Sequence, residues 1–160
     1  MKETITIRRV EGLPTLMSWR MEVLKSVFGI EPGPEYDKLY WANRSYYGRA
    51  IPAGTHYAVV AEINGRPVGC GAICFHEELP SPENVSGRCA YIMNVYVRPQ
   101  HRHQGVARHI LNHLVEVARR TGCDKIYLET TRQARSLYAD AGFRDIDDMM
   151  KLYDYETNND

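Results

Sequence analysis

No apolar run in this chain approaches the roughly 18 residues of a membrane-spanning helix, which excludes a helical membrane protein. An excess of one charge is also missing: 20 basic side chains face 20 acidic ones. That speaks against a nucleic-acid binder, which usually carries a basic surplus. With 12 glycines and 8 prolines in 160 residues the chain is too poor in both for a fibre, and at 44% hydrophobic it is too apolar to be disordered. The four cysteines, Cys70, Cys74, Cys89 and Cys123, include no pair with the two-residue gap of a zinc or redox motif. They read as reduced core residues, with no metal expected. The start, Met1 to Arg9, lacks the apolar stretch of a signal peptide, so a cytoplasmic protein is expected.

What is present suits a single domain over 1–160 with a disordered last few residues. Thr4 to Val10 alternates like an edge strand. Leu13 to Phe28 has helical periodicity, with Met17, Met21, Leu24 and Phe28 in one stripe and Leu16, Val23 and Val27 beside it. Glu35 to Tyr47 reads as a second helix, rich in tyrosine. His56 to Glu62 and Pro67 to Phe75 are strands joined through Asn64-Gly65, a strong hairpin signal because both residues accept positive φ. Cys89 to Val97 is apolar at nearly every position, as for a strand covered on both faces. Arg108 to Arg120 is an amphipathic helix with Ile110, Leu111, Leu114, Val115 and Ala118 inward. Lys125 to Thr130 is a strand, Ala134 to Ala141 a short helix, and Phe143 to Ile146 with Met149 to Tyr153 a final strand pair. The hairpin demands antiparallel pairing and the later strand–helix–strand unit a parallel crossover. Together they predict an α/β (α+β) layer fold, a mixed six- to seven-stranded sheet flanked by about four helices.

The chemistry sits in Val97-Arg98-Pro99-Gln100-His101-Arg102-His103-Gln104-Gly105-Val106-Ala107-Arg108. A buried strand runs into a basic, glycine-containing turn and then a helix. The first N–H groups of a helix lack internal partners and carry partial positive charge, which makes that end an anion site. Gly105 admits a phosphate to the backbone, Ala107 keeps the helix start open, and Arg98, Arg102 and Arg108 add charge. The ligand should carry phosphate groups. Neither the P-loop nor the three-glycine dinucleotide fingerprint is present.

Arg102-His103-Gln104-Gly105-Val106-Ala107 resembles the R/Q-x-x-G-x-G/A motif of the GNAT superfamily of N-acetyltransferases. Asn94-Val95-Tyr96-Val97-Arg98-Pro99 looks like the end of that family's fourth strand, and Leu137-Tyr138 with Gly142-Phe143 like its later Leu-Tyr…Gly-Phe motif. The resemblance covers nearly the whole chain. It implies acetyl-CoA as co-substrate and a fourth strand that bulges and splays from the fifth, so that pantetheine pairs with it like an added strand. Carried over, main-chain groups of Val95 and Val97 bind pantetheine. Amides across Arg102, His103, Gln104, Gly105, Val106 and Ala107, with Arg108 adding charge, bind pyrophosphate, and an amide near Asn94 or Val95 polarises the thioester carbonyl.

Tyr138 matches the family's general acid. A phenol is a weaker acid than a thiol, so a hydrogen bond to the developing thiolate describes its role better than full proton transfer. For the base that takes the amine's proton, Glu129 is the first candidate, since it shares a face with Tyr127; Glu62, His76 and Glu77 are others. One departure is the turn Thr130-Thr131-Arg132-Gln133-Ala134-Arg135, which lacks the usual Gly or Asn; Arg135 could reach the cofactor. The implied reaction is direct attack of a primary amine in a ternary complex. The acceptor is expected to be a small molecule, with no nucleic acid or membrane partner and with a homodimer as a possible assembly. A peptide N-terminal acetyltransferase and a non-catalytic acyl-CoA sensor are the alternatives. The acidic loop at Glu77, Glu78 and Glu83 could attract a cationic amine, and the aromatic second helix could stack on a sugar or ring. His109 and His113, on the polar face of their helix, are expected to be solvated.

Overall fold

The computed structural model describes residues 3–154 and divides into two compact units, residues 1–129 and 130–160. The first holds one five-stranded sheet in the order β1 (Ile5–Val10), β2 (His56–Ile63), β3 (Arg66–Glu77), β4 (Arg88–Val97), β5 (Lys125–Leu128). All pairings are antiparallel except the parallel β4–β5 pair. The β2–β3 hairpin closes as the Asn-Gly pair requires, with φ of +51° at Asn64 and +77° at Gly65.

Helices α1 (Leu13–Phe28) and α2 (Pro34–Ala53) cover one sheet face and α3 (Val106–Arg120) the other. On α1, Leu16, Met17, Met21, Val23 and Leu24 are buried, but Val27 and Phe28, expected in the stripe, are exposed in its last turn. Gly29, at φ +67°, ends the helix. Helix α2 runs six residues past the predicted Tyr47, through Gly48 and Pro52, and ends at Gly54 with φ +72°. Burial of Tyr47 and Ala50 holds it through two residues of poor intrinsic helicity. On the opposite face, α3 presents Ile110, Leu111 and Leu114, all fully buried. Gly71 permits its close approach, since a Cβ there would stand 2.5 Å from Ile110 Cγ2. No helix among the described residues is long and apolar enough to cross a membrane.

The second unit contains α4 (Arg135–Asp140), followed by turns. The expected strand pair at 143–146 and 149–153 is absent, so the sheet has five strands rather than six or seven. Ile146, Met149, Met150, Leu152 and Tyr153 are exposed. Apolar alternation makes a strand only where a neighbouring backbone pairs with it, and Asp145, Asp147 and Asp148 disfavour one. The expected disorder of the last residues concerns 155–160, outside the described residues.

Candidate active site

Strand β4 changes partners midway. Its pairing with β5 runs from Cys89–Lys125 to Ile92–Leu128 and stops there. Beyond it, Met93 to Val97 pair with β3 alone. On that side Cys70 faces Tyr96 and Ala72 faces Met93, so Gly71 alone opposes Asn94 and Val95. This is a β-bulge, and Asn94 carries its positive φ of +59°. Arg98 N–H donates to Val68 O at 2.9 Å. Counting back in steps of two, the main-chain groups of Val97 and Val95 point away from β3, to the edge that β5 has left. Val97 C=O accepts from Arg102 Nε at 2.9 Å, which ties the strand end to the following loop.

That loop is a 3₁₀ turn (Pro99–His101) followed by two left-handed residues, His103 at φ +61° and Gly105 at +84°. Gly105 is the N-cap of α3. A Cβ there meets only His109 Nδ1, at 3.9 Å, so the backbone angle rather than crowding calls for glycine. The first intrahelical amide bond is His109 N–H to Gly105 O, 3.1 Å. The amides of Val106 and Ala107 therefore lie in the unpartnered first turn of a helix with no acidic residue there. Consecutive amides of this kind, with left-handed residues among them, form an anion-binding nest. His103, Gln104 and Gly105 are exposed, Ala107 half-buried and Val106 buried. Arg98 does not contribute its charge here. Its guanidinium forms two hydrogen bonds with Glu22, at 3.0 and 2.9 Å, and lies 4.6 Å from the centre of the Trp19 ring.

On the α1/α2 face, directly before β4 and β5 part, Tyr91 and Tyr127 stack with ring centres 4.9 Å apart. Glu129 follows β5, exposed, and is close enough for its charge to act on the Tyr91 phenol. Burial first, then the charge of Glu129, push the Tyr91 phenol up to about 12. Tyr127 OH lies 3.2 Å from His76 Nε2. Glu78 receives two hydrogen bonds from Lys125 Nζ, at 3.1 and 3.2 Å, so part of the acidic loop is neutralised. Glu62 is engaged by Arg8 at 2.9 Å. Possible ligand atoms of His76, Glu78 and Cys89 lie within 4.8 Å of one another. Burial raises the Cys89 thiol, opposing the thiolate a metal needs, and Lys125 already holds Glu78.

Tyr138 belongs to the second unit, on α4, where it packs edge-on to Phe143 with centres 6.1 Å apart. Burial raises its pKa, which keeps the phenol protonated. In the same unit Arg135 is ion-paired with Asp145. His109 is exposed, as expected, while His113 is half-buried. His109 Nδ1 lies 2.8 Å from Gly105 O, and His113 Nε2 2.9 Å from Tyr57 OH.

Two features escape sequence reading. Arg20, on α1, donates to Asn94 Oδ1 at 2.9 Å and to Asn43 Oδ1 of α2 at 3.1 Å. Beside Met93, Tyr46 OH lies 2.8 Å from His56 Nδ1 and 3.1 Å from Cys74 Sγ, and Cys74 Sγ lies 3.4 Å from Met93 Sδ. His56 is 6% exposed, and its Nε2 has no partner among the described residues. Burial, with the nearby Arg20 charge, lowers its pKa to about 4. Single cations and tyrosines on helices are too common to signal such contacts; only the fold brings them together. All four cysteines are free, three of them buried, with Cys74 half-buried.

Residues 14–143 match the model of the Acetyltransferase (GNAT) family. The chain is 30% identical over 97 residues to a thialysine N-epsilon-acetyltransferase of Bos taurus, covering 57% of each protein. It is also 30% identical over 100 residues to glucosamine 6-phosphate N-acetyltransferase 1 of Oryza sativa subsp. japonica, covering 61% of this chain and 59% of that one. The aligned chain thus spans somewhat more than half the length of these curated relatives. A crystal structure of a predicted acetyltransferase from Clostridium acetobutylicum, with acetyl-CoA, superposes with a TM-score of 0.80 at 29% identity, over 94% of this chain and 96% of the other.

Proposed function

The chain belongs to the GNAT family of acetyltransferases, and on that premise we propose that it is an acetyl-CoA-dependent N-acetyltransferase acting on a small-molecule primary amine. The observation that carries this reading is the parting of β4 from β5 after Ile92 and Leu128, beside the bulge at Asn94. It leaves an unpaired strand edge suited to an extended, amide-bearing arm, next to the nest of amides suited to its pyrophosphate. The named activities of the two relatives and the acetyl-CoA in the Clostridium structure agree with it.

Acetyl-CoA supplies the activated acetyl thioester; the rest falls to the residues of this chain. Main-chain groups of Val95 and Val97 align the pantetheine. Amides from Arg102 through Ala107, with Arg102 and Arg108, hold the phosphates. The Val95 amide, set by the bulge, points at the position where carbonyl charge develops, the kind of donor that contributes about 10²–10³-fold in rate. The acceptor arrives as an ammonium with pKa about 10 and must lose a proton before its nitrogen attacks. Glu129, just after β5 and beside Tyr91, takes that proton by way of water. Tyr138 donates a hydrogen bond to the departing thiolate as the C–S bond breaks, and the thiolate takes up the proton that the new amide nitrogen sheds. The amine attacks directly, with no covalent intermediate on the protein.

Calorimetric titration with acetyl-CoA tests this, with a Gly105→Trp variant as control. Micromolar binding lost in the variant, followed by thiol release with one member of an amine panel, is the expected result. A folded protein that does not bind acetyl-CoA overturns the reading. Tight binding with no turnover on any amine or peptide replaces it with an acyl-CoA sensor.

A further inference from the structure

We propose that the cavity between α1 and α2 receives an anionic group of the acceptor, a carboxylate or phosphate, at the end remote from the reacting amine. This rests on the acetyl-transfer reading above. The cavity has a volume of about 530 Å³, within the range of small-molecule sites. Met17 and Met21, both buried, form its apolar floor. Its polar lining is Ser18, Tyr36, Tyr40 and Arg44. Tyr36, Tyr40 and Arg44 stand at successive turns of α2 and so share one stripe. Three hydroxyls and a guanidinium all donate hydrogen bonds, and no carboxylate lines the cavity.

Arg44 is one of several cations of the first unit, with Arg20, Arg49, Arg88 and Arg102, that have no carboxylate partner among the described residues. Arg8, Arg9, Arg98, Arg120 and Lys125 each have a carboxylate partner. Arg44 lies over the Trp41 ring, 5.7 Å from its centre, and no carboxylate among the described residues pairs with it. The ring orients the guanidinium without neutralising it. A planar fork of this kind matches a carboxylate or phosphate. Asn43, the residue before Arg44, accepts from the same Arg20 that holds Asn94. The acceptor charge read here is opposite to the one the acidic loop suggested, and that loop has Glu78 held by Lys125.

The test uses matched acceptors: glucosamine against glucosamine 6-phosphate, and 1-aminopentane against 6-aminohexanoate. The expected result is a kcat/KM about tenfold higher for the anionic member of at least one pair, the scale of one charge-assisted hydrogen bond. The pair that responds tells phosphate from carboxylate. In Arg44→Gln this ratio falls toward one, Arg44→Lys keeps part of it, and the KM for acetyl-CoA stays the same in both. Added salt also lowers the ratio in the wild type. A wild type without anionic preference, or a preference that survives in Arg44→Gln, overturns the proposal. If acetyl-CoA binds but no acceptor turns over, calorimetry of the CoA-bound protein with glucosamine 6-phosphate and 6-aminohexanoate decides, and absence of millimolar binding overturns it. Failure of acetyl-CoA itself to bind sinks the acetyl-transfer reading first and is seen separately.

Discussion

Arg20 Nη1 donates to Asn94 Oδ1 across 2.9 Å, joining the first helix to the one residue of β4 held at positive φ. A side chain in that left-handed region costs about 1–2 kcal/mol, and the Arg20 hydrogen bond helps hold it there. The bulge in turn aims the Val95 main chain at the open edge. Replacing Arg20 by Met should lower kcat by about tenfold or more, as for a misplaced oxyanion donor, with a smaller change in the KM for acetyl-CoA. Glycine adopts positive φ without help, so Asn94→Gly should restore part of the loss in the Arg20→Met background. Steady-state kinetics of the two single variants and the double variant measure this coupling. Additive losses with no rescue would remove Arg20 from the account.

Gly105 caps α3 at φ +84° with open space around its Cα. Gly105→Ala therefore meets a conformational penalty and no clash. A loss of about 1–2 kcal/mol in unfolding free energy is expected, together with at least about tenfold weaker acetyl-CoA binding as the amides of the nest turn away. Denaturant titration and calorimetry read the two effects separately. Unchanged affinity would show that the cradle does not depend on this residue.

How much of this was legible in the sequence depended on whether the signal was local. Asn64-Gly65 places two positive φ angles side by side and closes its hairpin wherever it stands. Helix α3 announces itself by period, because Ile110, Leu111 and Leu114 recur on one face. The bulge is different. Met93-Asn94-Val95 reads as uninterrupted strand, and only family resemblance raised the expectation of a bulge, because it depends on Gly71 across the ladder and Arg20 on a distant helix. Helix α2 runs past the expected Tyr47 because packing of Tyr47 and Ala50 overrides the poor intrinsic helicity of Gly48 and Pro52, which only the fold reveals. The final strand pair failed for the opposite reason: alternation states a preference, and Ile146 to Tyr153 find no ladder.

Tyr138→Phe keeps the ring and its contact with Phe143 and removes only the hydroxyl. Since burial holds the phenol protonated, the wild type should keep this hydrogen-bond donor through neutral pH. The variant should lose about 10²-fold or more in kcat, with acetyl-CoA affinity retained. Stopped-flow or thiol-release assays across pH 6 to about 10 give the profile. Turnover that matches the wild type throughout would show that the Tyr138 hydroxyl does not stabilise the leaving thiolate.

His56 lies on β2, bonded through Nδ1 to Tyr46, and its Nε2 has no partner among the described residues. Its pKa falls from 6.5 to about 4 through burial and the Arg20 charge. In the unfolded chain it titrates near 6.5, so between those two values the unfolded state binds more protons. Stability is then fully present above pH 6.5 and is lost as pH falls toward 4. From pH 7 to pH 5 this one group should remove about 2 kcal/mol of unfolding free energy. Tyr46, Tyr47 and Cys74, all raised, stay neutral throughout that window. Glu78 and Asp124, held below their ordinary values, lose their contribution only at more acid pH. His56→Asn keeps an acceptor for the Tyr46 hydroxyl and removes the titration. Urea unfolding of both proteins at pH 7, 6 and 5 should show a steep fall in the wild type and a flatter one in the variant. Equal slopes would mean that His56 takes up its proton in the folded state by opening to solvent, and that the Tyr46–His56 contact is not rigid.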